Sequence, residues 1–581
     1  MTSISLSQVM LQQVEQYFTS PQVQVTSVSE FVDVQPSDWA FQALQSLAER
    51  YGCIVKPPAH QGRQATTRFE FAAGLNACLN QINKQMAASV ENLVTRDDLL
   101  VIQRLQEEFA AELSVIRGRV DAIEARTALL EQQQFSTVTQ LRVGLILSPY
   151  GVADSRVARN RIENELLRGR RNLAETTIRS VVASSSPKAR IADKLAFGYR
   201  VSLNFDTSFT GQDRLRLRLR AGDVANLAGA TGTNEARLSF DAATEGRFLV
   251  DYLSYDFTFD RNRGRAMIAG GNTEFYDYFP TYNPLASDAA GSVSRFGRFN
   301  PLFYRAGNNS GSGAFIGYQF NPTWRVDAGY LARHPPGAAP AAANPQLGLF
   351  GSNYTVGVLL GVEPTRDFKF GIGYTHTYNE NFNTSGPGRV AAAGINLTGG
   401  TGTGFAVNPF CPLGTPAVCG AGKERQAVNM DTINWMFQWR ALPQFTLAGW
   451  FGYGWARGKR DGVPEPREGT RRANLLTAAL VFAFPDVVKR RGDLAGLIVG
   501  IPPYVVNSDW LGAANHLPAT NPARQLRLQD RNVPVHLEAL YRFQVNKYLT
   551  ITPGAFVVFH PNGDSRNDPI VVYTIRTTFT F

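Results

Sequence analysis

From about residue 137 to its end the chain alternates apolar and polar positions in segment after segment. Arg214-Leu215-Arg216-Leu217-Arg218-Leu219-Arg220 is the plainest case, with each charge separated from the next by one leucine. A helix would spread these arginines around every face, whereas a strand sends them to one side and the leucines to the other. Leu195, Phe197, Tyr199, Val201, Leu203 and Phe205 alternate in the same way with Ala196, Gly198, Arg200, Ser202, Asn204 and Asp206. So do Ile433, Trp435, Phe437 and Trp439 with Asn434, Met436, Gln438 and Arg440. Val535, Leu537, Ala539, Tyr541 and Phe543 alternate with His536, Glu538, Leu540 and Arg542. A soluble sheet also alternates, but a wall between lipid and a water-filled lumen repeats the pattern in many strands of about ten residues. The repetition predicts a mainly β chain built on an antiparallel transmembrane barrel.

A first pass finds about seventeen candidate strands. Bacterial barrels have even counts, short periplasmic turns and longer outer loops. The shortest connections, 207–213, 260–264, 321–323, 363–366, 441–443 and 544–547, serve as a ruler. If each lies in the periplasm, the directions close only when the weak candidate 236–241 belongs to an outer loop, which gives 16 strands. The outer loops are then about 148–194, 224–247, 272–311, 333–352, 379–430, 457–472, 502–532 and 560–569. Both ends of the barrel domain fall on the periplasmic side. The lumen face offers Arg200, Arg214, Arg216, Arg218, Arg220 and Asp251 as pore-lining residues. Two readings of the arginines stay open: free to act on solutes, or paired to Asp251 and Asp256. The lining role predicts a weak preference for anions or neutral solutes.

The segment before the barrel has a different rhythm. Within 28–84, Trp39, Ala43, Leu44 and Leu47 form a helical stripe, and Thr67 with Glu70 has capping-box spacing. Residues 95–134 read as one long helix whose seam is Ile102, Leu105, Phe109, Leu113, Ile116, Val120, Ile123, Thr127 and Leu130. The steps alternate between 3 and 4 except for one repeated 4, a stutter in a heptad. With Glu107, Glu108, Glu112, Arg117, Arg119, Glu124 and Arg126 beside it, the stripe favours a self-associating coiled-coil stalk over a helix lying on another domain. Such a helix would span roughly 60 Å. The domains expected are therefore 1–27, an N-terminal segment; 28–84, the helical module; 85–136, a coiled-coil stalk; and 137–581, the barrel.

Composition fits this outline. No run of the 581 residues approaches an apolar membrane helix, while Phe (37), Tyr (20) and Gly (52) are abundant. The net charge of +10 is interleaved singly with strand-forming residues, without a basic helix or tail, which argues against nucleic acid. Cys53 with Cys78 and Cys411 with Cys419 lack metal spacing. An even count in an exported chain favours disulfides, with buried thiols the alternative, above all for the first pair. The start Met1-Thr2-Ser3-Ile4-Ser5 shows no basic region followed by an apolar one, so a processed chain or a misplaced start is expected. His60, His334, His376, His516, His536 and His560 are dispersed, with no serine elbow or metal spacing, and no enzyme, cofactor or metal is expected.

Phe31-Val32-Asp33-Val34, Ser37-Asp38-Trp39-Ala40 and Thr67-Arg68-Phe69-Glu70 resemble a single S-layer homology (SLH) motif. That resemblance implies a cell-wall-binding domain docking on peptidoglycan-linked polysaccharide, with Asp33, Trp39, Arg68 and Glu70 touching the glycan. The alternative makes Trp39 core and Glu70 a helix cap. The last strand, ending in Phe581, resembles the signal read by the outer-membrane assembly machinery. The barrel resembles the OprB-like porins, and the whole resembles the major outer-membrane porins of cyanobacteria. Arg104-Leu105-Gln106-Glu107-Glu108-Phe109-Ala110-Ala111-Glu112-Leu113, Gln134-Phe135-Ser136-Thr137, Ser294-Arg295-Phe296-Gly297-Arg298 and Asn300-Pro301 carry that likeness. It implies passive diffusion of sugars and inorganic ions, iron included, across the outer membrane, with the SLH domain and stalk in the periplasm. It also implies a third loop folded into the lumen, with Glu274, Asp277, Arg295, Arg298 and Arg305 at a constriction; a loop merely covering the mouth is the alternative. A single SLH motif and porin habit together suggest a homotrimer. A barrel closed by its loops, acting mainly as an anchor between membrane and wall, is the competing reading.

Overall fold

The structure, a computed structural model, describes residues 39–51, scattered positions between 71 and 79, 96–112, 114, 139–168, 190–308, 310–333, 348–350, 353–381, 395–410, 426–460, 471–487, 490–510 and 526–581. The chain divides into two units, Met1–Thr137 and Val138–Phe581.

Alternation drives the second unit. Its strands are β1 Thr139–Val152, β2 Ala196–Thr207, β3 Asp213–Val224, β4 Leu249–Phe259, β5 Gly264–Thr273, β6 Gly311–Gln319, β7 Trp324–Arg333 and β8 Tyr354–Val362. They continue as β9 Phe368–Asn381, β10 Gln426–Leu442, β11 Phe445–Arg460, β12 Arg472–Pro485, β13 Leu494–Ser508, β14 Val535–Gln544, β15 Leu549–Phe559 and β16 Ile570–Thr580. Each pairs antiparallel with the next, and β16 returns to β1 with Leu147 opposite Thr577, so the 16-stranded barrel closes without an edge. One further short ladder, Ala242–Ala243 against Asp223 and Val224, lies in the second long loop and is no part of the wall. The candidate at 236–241 lies in that loop as well.

Short turns and long loops segregate to opposite rims, as the parity argument requires. The alternation sorts the faces: Leu195, Phe197, Ile268, Ile316, Ile433 and Trp435 point outward and are exposed. Asn434, Met436, His536 and Glu538 point inward and are buried. Aromatic rings gather toward both rims. Tyr330, Tyr354 and Tyr378 stack at 5.8 Å spacing near the long loops, and Trp324, Trp439, Phe484 and Tyr548 stand near the short turns. Such belts mark the two membrane interfaces.

The described part of the first unit is helical. Its described helices are α1, Trp39–Tyr51, and α2, Arg96–Glu108. Ala40, Leu44 and Leu47 of α1 share one core with Phe71, Ala72, Leu75, Cys78, Ile102, Leu105 and Phe109. This corrects the stalk reading at its start: the first three seam positions are filled within the chain, with Phe109 stacked on Phe71 at 4.5 Å. The seam from Leu113 onward lies outside the described residues. Trp39 is not core either; it is exposed, with the Arg104 guanidinium 4.3 Å above its ring. Cys78 is disulfide-bonded. Asp33, Arg68, Glu70, Cys53, Cys411 and Cys419 lie outside the described residues.

Candidate functional site

The third loop, between β5 and β6, lies inside the barrel. Two short helical turns shape it. Asp277 accepts from the Glu274 amide at 2.8 Å to cap Phe275–Tyr278, and Asn300 accepts from the Leu302 amide at 3.0 Å to cap Pro301–Tyr304. Phe275, Tyr278, Phe279, Tyr282, Phe296, Phe299, Phe303 and Tyr304 pack together into an aromatic body. The wall gives way where this body lands. A Cβ at Gly357 would come within 2.2 Å of Phe275, at Gly371 within 2.7 Å of Tyr282, and at Gly373 within 2.6 Å of Phe303. Across the lumen, Gly496, Gly500 and Gly554 play the same part toward Leu285, Phe296 and Val293. The loop thus reaches β8 and β9 on one side and β13 and β15 on the other.

Facing the loop from the remaining wall is the arginine ladder of β3. Each arginine holds a carboxylate. Arg214 meets Asp256 at 3.2 Å, Arg216 meets Asp206 at 2.5 Å, and Arg218 and Arg220 meet Asp251 at 2.5 and 3.0 Å. The last pairing depends on an irregularity in the ladder: between Arg218 and Leu219 the β4 register skips Asp251. That bulge leaves its carboxylate between two guanidinium groups. Arg200 crosses to the loop itself, 2.9 Å from Asp288. Including Arg142 beside Asp206 and Arg265 beside Asp256, Arg142, Arg200, Arg214, Arg216, Arg218, Arg220 and Arg265 share only Asp206, Asp251, Asp256 and Asp288. The charges are paired, yet the wall keeps a cationic excess.

Water still reaches the track, since the side chains of Arg214, Asp251 and Asp288 are 36%, 22% and 24% exposed. On the loop side, burial pushes the Asp277 carboxyl up to about 7, with the Arg218 charge pulling against it. Burial acts on Asp288 in the same direction, but Arg200, Arg298 and Arg220 together hold it well below the usual carboxylate range. Glu274, Asp277, Asp288 and Tyr276 are half-buried on the loop surface.

The other loop arginines are placed differently. Arg305, 1% exposed, donates to the Arg295 carbonyl at 2.8 Å and lies 4.5 Å over Phe299. Arg295 donates to the Gly399 carbonyl of the fifth loop at 3.0 Å, and Arg298 to the Ala286 carbonyl at 2.8 Å, with Tyr276 4.8 Å from its guanidinium. These groups knit the loop. Sequence reading missed Asp206 and Arg265 as members of the track, and Glu538 and Arg576 as contacts of the loop. Alternation already placed Glu538 with His536 on one face of its strand, but nothing in strand periodicity says which polar group meets a loop. Among the described residues no group of three or more His, Cys, Asp or Glu could hold a metal ion, and no described helix is long and apolar enough to cross a membrane.

The profile of the carbohydrate-selective porin family, OprB, matches residues 96–581. An uncharacterized protein of Synechocystis sp. is 34% identical, covering 96% of this chain and 91% of that protein. One from Nostoc sp. is 32% identical, over 96% of this chain and 86% of that protein. Among solved structures, OprB of Pseudomonas putida at high pH aligns with 79% of this chain and 97% of its own at 13% identity and a TM-score of 0.46. An anion-selective porin from Comamonas acidovorans aligns with 76% of this chain and 99% of its own at 8% identity and a TM-score of 0.37.

Proposed function

The chain belongs to the carbohydrate-selective porin family, OprB, a family of outer-membrane channel proteins rather than enzymes, and from that premise we propose that it is a passive pore for small hydrophilic solutes, sugars foremost. The observation that carries this reading is the water-reached track of Arg214, Arg218, Arg220, Asp251 and Asp288 between the β3 wall and the third loop. Charges sealed in a plug would be costly, whereas charges beside a water path are not. Guanidinium donors beside carboxylate acceptors can exchange hydrogen bonds with successive sugar hydroxyls, and the half-buried Tyr276 adds an aromatic ring. The excess of arginine over aspartate supports a weak preference for anions over cations. Inorganic ions, iron among them, are proposed as cargo from the cyanobacterial likeness alone.

The N-terminal unit is proposed to tether the pore to wall polysaccharide through an SLH-type module, with exposed Trp39 at the contact. Three copies would bring three such modules together. The competing reading is a loop-closed barrel serving as an anchor, and it draws on the reach of the third loop to β8, β9, β13 and β15. Liposome swelling separates the two. Proteoliposomes are expected to swell in monosaccharide and progressively less in longer oligosaccharides, while a plugged anchor leaves them unchanged. A chain lacking 28–84 is expected to keep that permeability and lose binding to isolated sacculi.

A further inference from the structure

The turn that carries Asp288 is held by wall side chains that face no solute. Five consecutive carbonyls of the third loop accept hydrogen bonds from the inner faces of β14 and β16. Arg576 donates to Asp288 at 3.0 Å, Gly291 at 2.6 Å and Ser292 at 3.1 Å; Thr578 donates to Ala289 at 2.8 Å; and Arg542 donates to Ala290 at 3.2 Å. The donors that follow go to one carboxylate. Glu538 accepts from the Val293 amide at 2.6 Å, from Ser292 Oγ at 2.9 Å and from Ser294 Oγ at 2.5 Å. His536 Nε2 lies 3.2 Å from Ser294 Oγ and 3.3 Å from Glu538 Oε2. Glu538, His536 and Arg576 are fully buried.

An apolar wall could cover such a turn without any charge. Buried charges contribute little net stability against an apolar replacement of equal volume, but they demand partners at fixed places. Here the demanded partners follow one another along the turn, backbone carbonyls for Arg576 and the Val293 amide with the Ser292 and Ser294 hydroxyls for Glu538, so a slip of the turn by one residue would strand a buried guanidinium and a buried carboxylate together. The turn is thereby locked in register. Its far side presents Asp288 to Arg200 and, beyond it, to Arg220.

We infer that Glu538 and Arg576 are positioning residues of the constriction, fixing the 288–294 turn so that Asp288 stands opposite the arginine track and sets the selectivity of the opening. The inference rests on the reading of the barrel as an open pore. It is tested by single-channel recording from the full chain and from Glu538→Gln, Arg576→Lys, the pair Ser292→Ala with Ser294→Ala, and Asp288→Asn. Both wall variants are expected to lose the steady single level and to shift their reversal potential toward that of Asp288→Asn. The serine pair, which leaves the wall untouched, should do the same, and adding it to Glu538→Gln should change nothing more because both act through one contact. If a wall variant fails to fold, judged by heat-modifiable migration, the serine pair decides. Wild-type conductance and reversal potential in the folded variants would overturn the inference. Labelling Asp288→Cys with a water-soluble maleimide reads the same register without current. Faster labelling in the Glu538→Gln and Arg576→Lys backgrounds is expected, and equal rates would refute the positioning role. A wild-type chain that labels as expected but passes no current would instead refute the pore.

Discussion

Arg218 and Arg220 both donate to Asp251, and Arg200 holds Asp288, so the ladder acts on a solute through a balance of paired charges rather than through bare guanidinium groups. Sequence left that choice open because strand alternation reports a face and not a partner. Asp251 is the instructive residue: it stands an odd number of positions from Asp256, so a regular strand would put the two on opposite faces, and the skipped register in β4 brings both to the arginines. In such a balance one titrating carboxyl matters. Asp277, pushed up to about 7 by burial with Arg218 close by, is charged above that pH and neutral below it. A raised carboxyl pKa means that acid removes a negative charge from the opening. Anion preference, read from reversal potentials, is therefore expected to rise as the bath goes from about pH 8 to about pH 6. Asp277→Asn should hold the acid value at both. A preference that falls with acid in the parent chain would contradict this assignment.

At the scale of elements, the strands, their parity and the third loop's length could all be read from the chain. Each strand must satisfy the same two-sided constraint, and each short turn fixes a direction. What periodicity could not supply was the fit between loop and wall. Glycines such as Gly357, Gly371 and Gly373 look like weak strand residues in sequence, yet each is a seat for an aromatic ring of the loop. Gly371→Leu, meeting Tyr282, should displace the aromatic body and cost about 1–3 kcal/mol of overpacking. The expected readout is altered conductance with the barrel still heat-modifiable; unchanged conductance would mean that the loop does not define the opening. Among the helices, the seam at Ile102, Leu105 and Phe109 misled because a stripe buried on a neighbouring helix has the same 3 and 4 spacing as a coiled-coil face. Local periodicity states that a face is covered, not by what.

For the whole molecule, a closed wall of 16 strands and an internal loop packed against it describe a barrel built to limit passage, and the chain carries a second unit at Met1–Thr137. The interior carries an arginine excess, and the loop leaves water beside it. Single-channel recording in planar bilayers under a salt gradient tests the central claim most directly. A stable open level is expected, with a reversal potential showing weak anion preference that diminishes in Arg216→Ala, whose parent side chain pairs with Asp206 at the track's edge. A chain that passes no current, or a strong cation preference that survives Arg216→Ala, would contradict it.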